Sequence, residues 1–326
     1  MNIFHTIELF CLKNELVVPS KTIIIGLSGG PDSVFLFHFF KSIQKKYQLT
    51  LIAAHLNHGW RSIAESDQEF CRSLAKKYDV PFASESLDRY KQDITYNGSK
   101  EAFARKARKL FFQAIQSNYK HSLIALAHHA DDQLETFFIR LARGTTITGL
   151  SCMRPKNGFY IRPLLNAYKA DIIAYLLDHN LPFCIDETND SEAYLRNRIR
   201  KNLLKNIESV DSRFKKNSIR TIQSLQATEN FLQIYTQNTL SSIQKYQNNL
   251  MQTDLHAFLQ LHPFMQKRAL ALLLIDAQYH QELSESLLDE IIRFIKQSKK
   301  TLHIIEFIAI KKTDVHFFIE NHRRKQ

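Results

Sequence analysis

The stretch Ile23-Ile24-Ile25-Gly26-Leu27-Ser28-Gly29-Gly30-Pro31-Asp32-Ser33-Val34-Phe35-Leu36 constrains this chain more than any other. Three β-branched residues in a row read as a buried strand, small residues then break the run, and an apolar-periodic segment follows as a helix. Two adjacent glycines and two serines leave no bulk over the turn, so backbone N–H groups can close on a phosphate at the positive end of that helix. Pro31 and one polar residue suit the first turn of any helix. Capping leaves Ser28-Gly29-Gly30 unexplained in a chain with only 8 glycines, and the turn reads as an anion cradle. It is not the Gly-x-x-x-x-Gly-Lys-Ser/Thr phosphate loop, because no lysine follows Gly29 or Gly30.

Composition narrows what such a cradle serves. At 326 residues and 44% apolar, the chain has room for two domains with a real core. No apolar run reaches the length of a membrane span, and the N-terminus lacks the pattern of a signal peptide. A cytoplasmic protein with no membrane partner is expected. Cys11, Cys71, Cys152 and Cys184 are scattered without a Cys-x-x-Cys pair, which argues against a disulfide framework, a structural zinc site or a redox dithiol and makes them packing residues. The net charge of +12 attracts polyanions, and its placement is uneven. Between Tyr194 and Arg220 stand Arg196, Arg198, Arg200, Lys201, Lys205, Arg213, Lys215, Lys216 and Arg220, against Glu208 and Asp211 alone. Such clustering fits a track along a nucleic-acid phosphate backbone, where a solvated basic helix is the plainer alternative.

Ile3, Phe4, Ile7 and Phe10 predict a short helix, 34–46 a second, and 49–55 a buried strand running into His55-Leu56-Asn57-His58-Gly59. Two βα units in succession predict parallel strands with right-handed crossovers. His55, Asn57 and His58 at a strand's carboxyl end suit a substrate-proximal loop better than zinc, since no third ligand is near. A helix over 65–77 and a strand over 81–86 follow. An irregular stretch to Asn97-Gly98 then leads to a helix capped by Ser99, on which Glu101, Arg105 and Arg108 share one face. That face alone reads as a solvent-exposed salt-bridged surface.

Leu123 to Ala127 forms another buried strand ending in His128 and His129, and Asp131 or Asp132 opens the next helix with Glu135 one turn further on. Two aspartates and a glutamate gathered beside a phosphate cradle call for a cation, either Mg²⁺ or an amine substrate. Residues 160–165 read as a fifth strand or extended segment, 167–179 as a helix, 186–190 as a polar loop, and Tyr194 to Arg200 as an arginine-rich helix start. Beyond Asp211 the texture changes to long helices over 219–245, 263–278 and 284–296, closed by a hairpin from 301–310 and 315–320. The expectation is an α/β parallel-sheet domain over 1–212 and a smaller, mainly helical domain over 213–326.

The Ser28–Ser33 turn resembles the pyrophosphate loop of ATP pyrophosphatases. Four further stretches extend the likeness in order: His55 to Gly59, Glu101 to Arg108, His128-His129-Ala130-Asp131-Asp132-Gln133-Leu134-Glu135-Thr136, and Tyr194 to Arg200. Together they resemble the tRNA(Ile)-lysidine synthase family of PP-loop ATP pyrophosphatases, over residues 22 to about 205. The resemblance implies an adenine-nucleotide α-hydrolase-like, Rossmann-like fold. It also implies a ligase that adenylates the wobble cytidine 34 of a tRNA(Ile) with CAU anticodon at its C2 oxygen and lets L-lysine displace AMP, with ATP and Mg²⁺ as cofactors.

Carried onto this chain, Ser28, Gly29, Gly30, Pro31, Asp32 and Ser33 would hold the pyrophosphate, with Asp32 acting near the α-phosphate and as the metal ligand. Arg105 or Arg108 would offset developing charge on phosphorus. Asp132 and Glu135 match the positions that grip lysine, and His128 and His129 would lie near the substrate. Arg196, Arg198, Arg200 and Lys201 would meet tRNA.

The chain departs from the family at Ser99-Lys100 and at Lys109, and it is expected to end after a first C-terminal domain where longer members carry a second. A thiolating tRNA enzyme, which relies on cysteines, is the nearest alternative; an amidotransferring ligase and a non-catalytic RNA-binding module are others. The sequence is silent on oligomeric state, with a homodimer compatible.

Overall fold

The computed structural model describes residues 3–59, 64–94, 100–184, 195–247, 250–279, 281, 283–297 and 301–321, apart from the side chain of Glu101. The expected cap Ser99, the Asn97-Gly98 pair, the loop 186–190 and Tyr194 lie outside these residues. The chain forms two compact units, Met1–Gln226 and Ala227–Gln326.

Unit 1 is built on six strands, β1 (Thr22–Gly26), β2 (Thr50–Asn57), β3 (Phe82–Ser86), β4 (Leu123–Ala125), β5 (Lys156–Asn157) and β6 (Tyr160–Ile161), in the order β3-β2-β1-β4-β6-β5. All neighbours are parallel except β5 and β6. The helices are α1 (Ile3–Lys13), α2 (Pro31–Ile43), α3 (Ala64–Lys77), α4 (Lys100–Asn118), α5 (Ala130–Arg143), α6 (Ile147–Leu150), α7 (Lys169–Asp178), α8 (Leu195–Arg198), a π-helical segment Ile199–Leu204, α9 (Lys205–Val210) and the start of α10 (Phe214–Ile243).

Strand alternation explains the layering. Ile23 and Ile25 pack into one apolar cluster with Phe35 and Phe39 of α2, Cys71 of α3 and Ile172 of α7, whereas Ile24 packs into a second with Ala107, Phe111 and Phe112 of α4. A strand covered on both faces must be apolar throughout, which is why β1 reads as an unbroken isoleucine run. α2 is enclosed in the same way, with Phe35, Phe37, Phe39 and Phe40 fully buried.

The chain enters the sheet at β1, moves outward through β2 and β3, and then crosses to the other side at β4. Strand order therefore reverses between β1 and β4, the place where open α/β sheets bind ligands beyond the strands' carboxyl ends.

Two expectations for this unit change. The stretch 160–165 pairs as strand only over Tyr160–Ile161, with Lys156–Asn157 returning antiparallel beside it. The division of the chain also falls within α10 rather than at 212. Ile219 and Ile222 belong to the cluster of Ala130, Leu134, Ile199 and Leu204, so the first turns of α10 are part of unit 1.

Unit 2 continues from α10 through β7 (Gln244–Gln247), β8 (Leu250–Asp254), α11 (Leu255–Gln260), α12 (Pro263–Asp276), α13 (Glu285–Gln297), β9 (Leu302–Ile305), β10 (Ile308–Lys312) and β11 (His316–Asn321). Its strands form one antiparallel sheet in the order β7-β8-β11-β10-β9, not an isolated hairpin. The expected strand 301–310 breaks because Glu306 adopts φ 53° and turns β9 back onto β10, with Ile305 opposite Ile308. The expected helix 219–245 stops at Ile243, and Gln244–Gln247 pairs with β8 instead. Phe258, Leu270, Ile291, Ile310 and Phe317 fill the core. No helix of the described residues is long and apolar enough to cross a membrane.

Candidate active site

The loop after β1 is tied by its own side chains. Ser33 Oγ accepts the Ser28 N–H at 3.1 Å and donates to the Gly30 carbonyl at 2.9 Å, which folds the turn onto the start of α2. Gly29 has φ +88°, and a Cβ there would stand 3.2 Å from Cys184 Sγ and 3.4 Å from Cys71 Sγ. Gly30 differs. Its φ is −69°, ordinary for any residue, and a Cβ there would meet only Ser28 Oγ, at 3.7 Å.

The Cys184 N–H donates to the Gly29 carbonyl at 2.9 Å and backs the loop from below. Burial pushes the Cys71 thiol up and the Cys184 thiol up to about 12, the latter helped by Asp67, so both remain inert packing groups at neutral pH. Pro31 is the first residue of α2. His55, buried and held below its usual pKa by that burial, donates from Nδ1 to the Leu27 carbonyl at 2.9 Å, which places it beneath the loop. Asn57 bonds Gln68 at 3.1 Å and accepts the Gly59 N–H at 2.9 Å, shaping the β2 loop rather than leaving it open.

Two helix N-termini, those of α2 and α5, bring carboxylates together at the β1/β4 reversal, and that of α7 meets them. Acidic residues suit the first turn of a helix, and Asp32 of α2 and Asp131 and Asp132 of α5 occupy such turns. His129 lies among them, its Nε2 3.8 Å from Asp32 Oδ2 and 3.6 Å from Asp132 Oδ2, and its Nδ1 3.6 Å from Asp131 Oδ2. Asp132 also accepts the His129 N–H at 3.0 Å. Burial works to raise the Asp132 pKa, but the charges of His129 and His128 and that N–H outweigh it and hold the carboxyl below the usual range.

The cations that the sequence left to a metal or a substrate are present in the chain itself. Lys169 Nζ sits 2.6 and 2.5 Å from the two oxygens of Asp32, and Lys215 Nζ lies 3.3 Å from Asp131. Neither lysine was singled out in the sequence for this place. A basic residue at a helix start, where the macrodipole disfavours it, is the one local signal for Lys169.

Glu135 is fully buried, and both of its oxygens face arginine: Arg200 Nε donates at 2.6 Å and Arg196 Nε lies at 3.3 Å. Burial raises its pKa, with Arg200 opposing. Two arginines expected on a tRNA track thus reach Glu135 while staying 46% exposed each; Arg198 is likewise exposed and Lys201 half-buried on the same helical stretch.

Beside this acidic group lies a basic one. His128, half-buried at the end of β4, is pushed down to about 4, first by burial and then by Arg162, Arg108 and Arg105 against the pull of Asp132. Arg105 and Arg108 project from α4, and Arg108 Nη2 lies 3.4 Å from His58 Nε2. Arg162, which the sequence reading passed over, donates from Nη1 to the Arg154 carbonyl at 3.0 Å and leaves its buried Nε without a hydrogen bond. Its own pKa is lowered by burial and by the neighbouring charge of Arg105. Cations gathered this closely suit a site for phosphate oxygens.

Fold and site together define an α/β protein with a small-residue strand-to-helix loop at the reversal point of its sheet, faced by carboxylates on one side and arginines on the other. The chain belongs to the PP-loop domain family, whose pattern matches residues 5–207. It is 37% identical over 198 residues to a tRNA(Ile)-lysidine synthase of Clostridium tetani, covering 60% of this chain and 42% of that protein. It is 33% identical over 273 residues to a tRNA(Ile)-lysidine synthase of Bacillus subtilis, covering 81% and 57%. The chain spans about half the length of the curated relatives it matches. Among solved structures, the U34-tRNA thiolase NcsA from Methanococcus maripaludis with its [4Fe-4S] cluster superposes with a TM-score of 0.56 at 17% identity, covering 68% of this chain and 78% of that one, a likeness of fold alone.

Proposed function

We propose that this chain joins L-lysine to C2 of the wobble cytidine 34 of a tRNA(Ile) with CAU anticodon, consuming ATP and releasing pyrophosphate and AMP. One observation carries the reading: Asp32 of the cradle and Asp132 of the acidic group lie within 3.8 and 3.6 Å of one His129 nitrogen. The group that would handle the nucleotide and the group that would hold an amine therefore flank a single imidazole.

In this reading the Ser28–Ser33 turn takes the β and γ phosphates of ATP. The cytidine C2 oxygen attacks the α-phosphorus, and the bond to the pyrophosphate breaks. Arg105, Arg108 and Arg162 offset the charge that develops on the phosphoryl oxygens. The lysine side-chain amine, once deprotonated, attacks C2 and expels AMP. Asp132 and Glu135 hold the incoming lysine as a cation, and at Glu135 it takes the place of Arg200.

Among the described residues no group of three or more His, Cys, Asp or Glu is arranged to hold a metal. Asp32 would hold Mg²⁺ through its carboxylate, and the ion would supply neutralisation of the leaving pyrophosphate. The raised thiols of Cys71 and Cys184 give thiolation no support.

The test is transfer of labelled lysine to bacterial tRNA in the presence of ATP and Mg²⁺. Label retained in tRNA is the expected result, and Asp132→Ala should raise the lysine concentration required. Sulfur incorporation, or turnover indifferent to lysine, would remove the proposal.

A further inference from the structure

The Ser28–Ser33 turn holds no lysine of its own, yet an ammonium stands at its mouth. Lys169 comes from the first turn of α7, 137 positions along the chain from Asp32, and contacts both oxygens of that carboxylate. The position opposes the macrodipole, which favours acidic residues at a helix start; Asp171 in the same turn obeys that preference.

Lys169 is nonetheless fixed there, because its own backbone N–H donates to Asp131 Oδ2 at 2.8 Å and ties the start of α7 to that of α5. Its side chain is 32% exposed and that of Asp32 26%, so the pair borders solvent rather than forming a sealed core contact. A lysine ammonium on its flexible stem binds phosphate as a point charge and can exchange one oxygen partner for another.

We infer that Lys169 is a phosphate-contacting residue of this site and supplies from α7 the cation that the loop itself lacks. Its ammonium, which neutralises Asp32, transfers to phosphate oxygens when a polyphosphate occupies the turn. The inference rests on the reading of Ser28–Ser33 as a pyrophosphate cradle.

Calorimetric titration of the full chain with inorganic pyrophosphate, free of metal, separates this from a purely structural ion pair. Lys169→Met should weaken binding about 10- to 100-fold, the range for removing a charge-assisted hydrogen bond, and Lys169→Arg should restore most of it. Asp32→Asn should bind pyrophosphate as tightly as the unaltered chain or more so, because it removes a competing anion and releases the lysine. If Lys169 served only to place Asp32, both substitutions would weaken binding, and that result would overturn the inference. So would equal affinity in Lys169→Met and the unaltered chain. Failure of the unaltered chain to bind pyrophosphate would instead remove the cradle reading, and the inference with it.

Discussion

Arg200 reaches the wholly buried carboxylate of Glu135 and donates to it at 2.6 Å, while Arg196 covers the other oxygen from 3.3 Å. An isolated carboxylate at that depth would take up a proton rather than stay charged. The two arginines oppose that protonation, with Arg200 the stronger of the pair.

Arg200→Met should destabilise the fold by about 1–3 kcal/mol at pH 8, the range for a buried acceptor left without its donor. The loss depends on pH. Burial already raises the Glu135 pKa above 4.5, so its contribution is fully favourable at low pH and falls as pH rises through the native value; removing Arg200 steepens that fall. Urea midpoints of variant and parent should converge near pH 4 and separate by pH 8. A separation that does not change with pH would contradict this account of Glu135.

His128 gives the opposite slope. Its native pKa is about 4 against 6.5 in an unfolded chain, so the unfolded state binds more protons between those values and stability falls as pH drops through that window. His128→Asn should lack a component of about 2–3 kcal/mol between pH 7 and pH 4. Comparison with the parent removes the parallel contribution of buried His38, whose pKa is also about 4. Identical pH profiles would show that His128 is not held neutral.

The two loop glycines should not be equivalent. Gly29→Ala forces a side chain into φ +88° against two sulfurs and should reduce stability by about 1–3 kcal/mol. Gly30→Ala has an ordinary φ and open space beyond Ser28 Oγ, and should change stability by less than about 0.5 kcal/mol. Thermal unfolding of the pair decides, and equal effects would contradict the loop geometry.

The basic stretch should divide as well. Arg196 and Arg200 face Glu135, Arg213 pairs with Asp211, and Lys215 bridges Asp131 and Glu208. Arg198, Lys205 and Lys216 are exposed, with no carboxylate in salt-bridge range among the described residues. Replacing these three with Gln should weaken tRNA binding and lower its salt dependence by about one unit of slope for each phosphate no longer neutralised. An unaltered slope would place the tRNA track elsewhere.

The strand-turn-helix at Ser28–Ser33 was legible in the sequence because its parts are consecutive: Ile23–Ile25, the small-residue break and the helix at Pro31 are each local signals. The acidic group was legible for the same reason, since Asp131, Asp132 and Glu135 lie within two turns of one helix. What answers their charge was not, because Lys169, Lys215 and Arg162 arrive from other elements and only the sheet's reversal at β4 brings them in. Arg196 and Arg200 were read as part of a phosphate track from a run of like charge. Periodicity shows that they share a face, not that a buried carboxylate lies under it. In unit 2 the hairpin was seen, but a positive φ at Glu306 carries no residue-type signal, and the third strand was hidden in an apparently continuous run.

In the proposed function the turn at Ser28–Ser33 directs cleavage of ATP between its α and β phosphates. Products formed from α-labelled ATP with Mg²⁺, lysine and unmodified tRNA(Ile) test it directly. AMP is the expected product, formed only when tRNA is present and abolished in Asp32→Ala. ADP as the product, or AMP release that survives loss of Asp32, would contradict it.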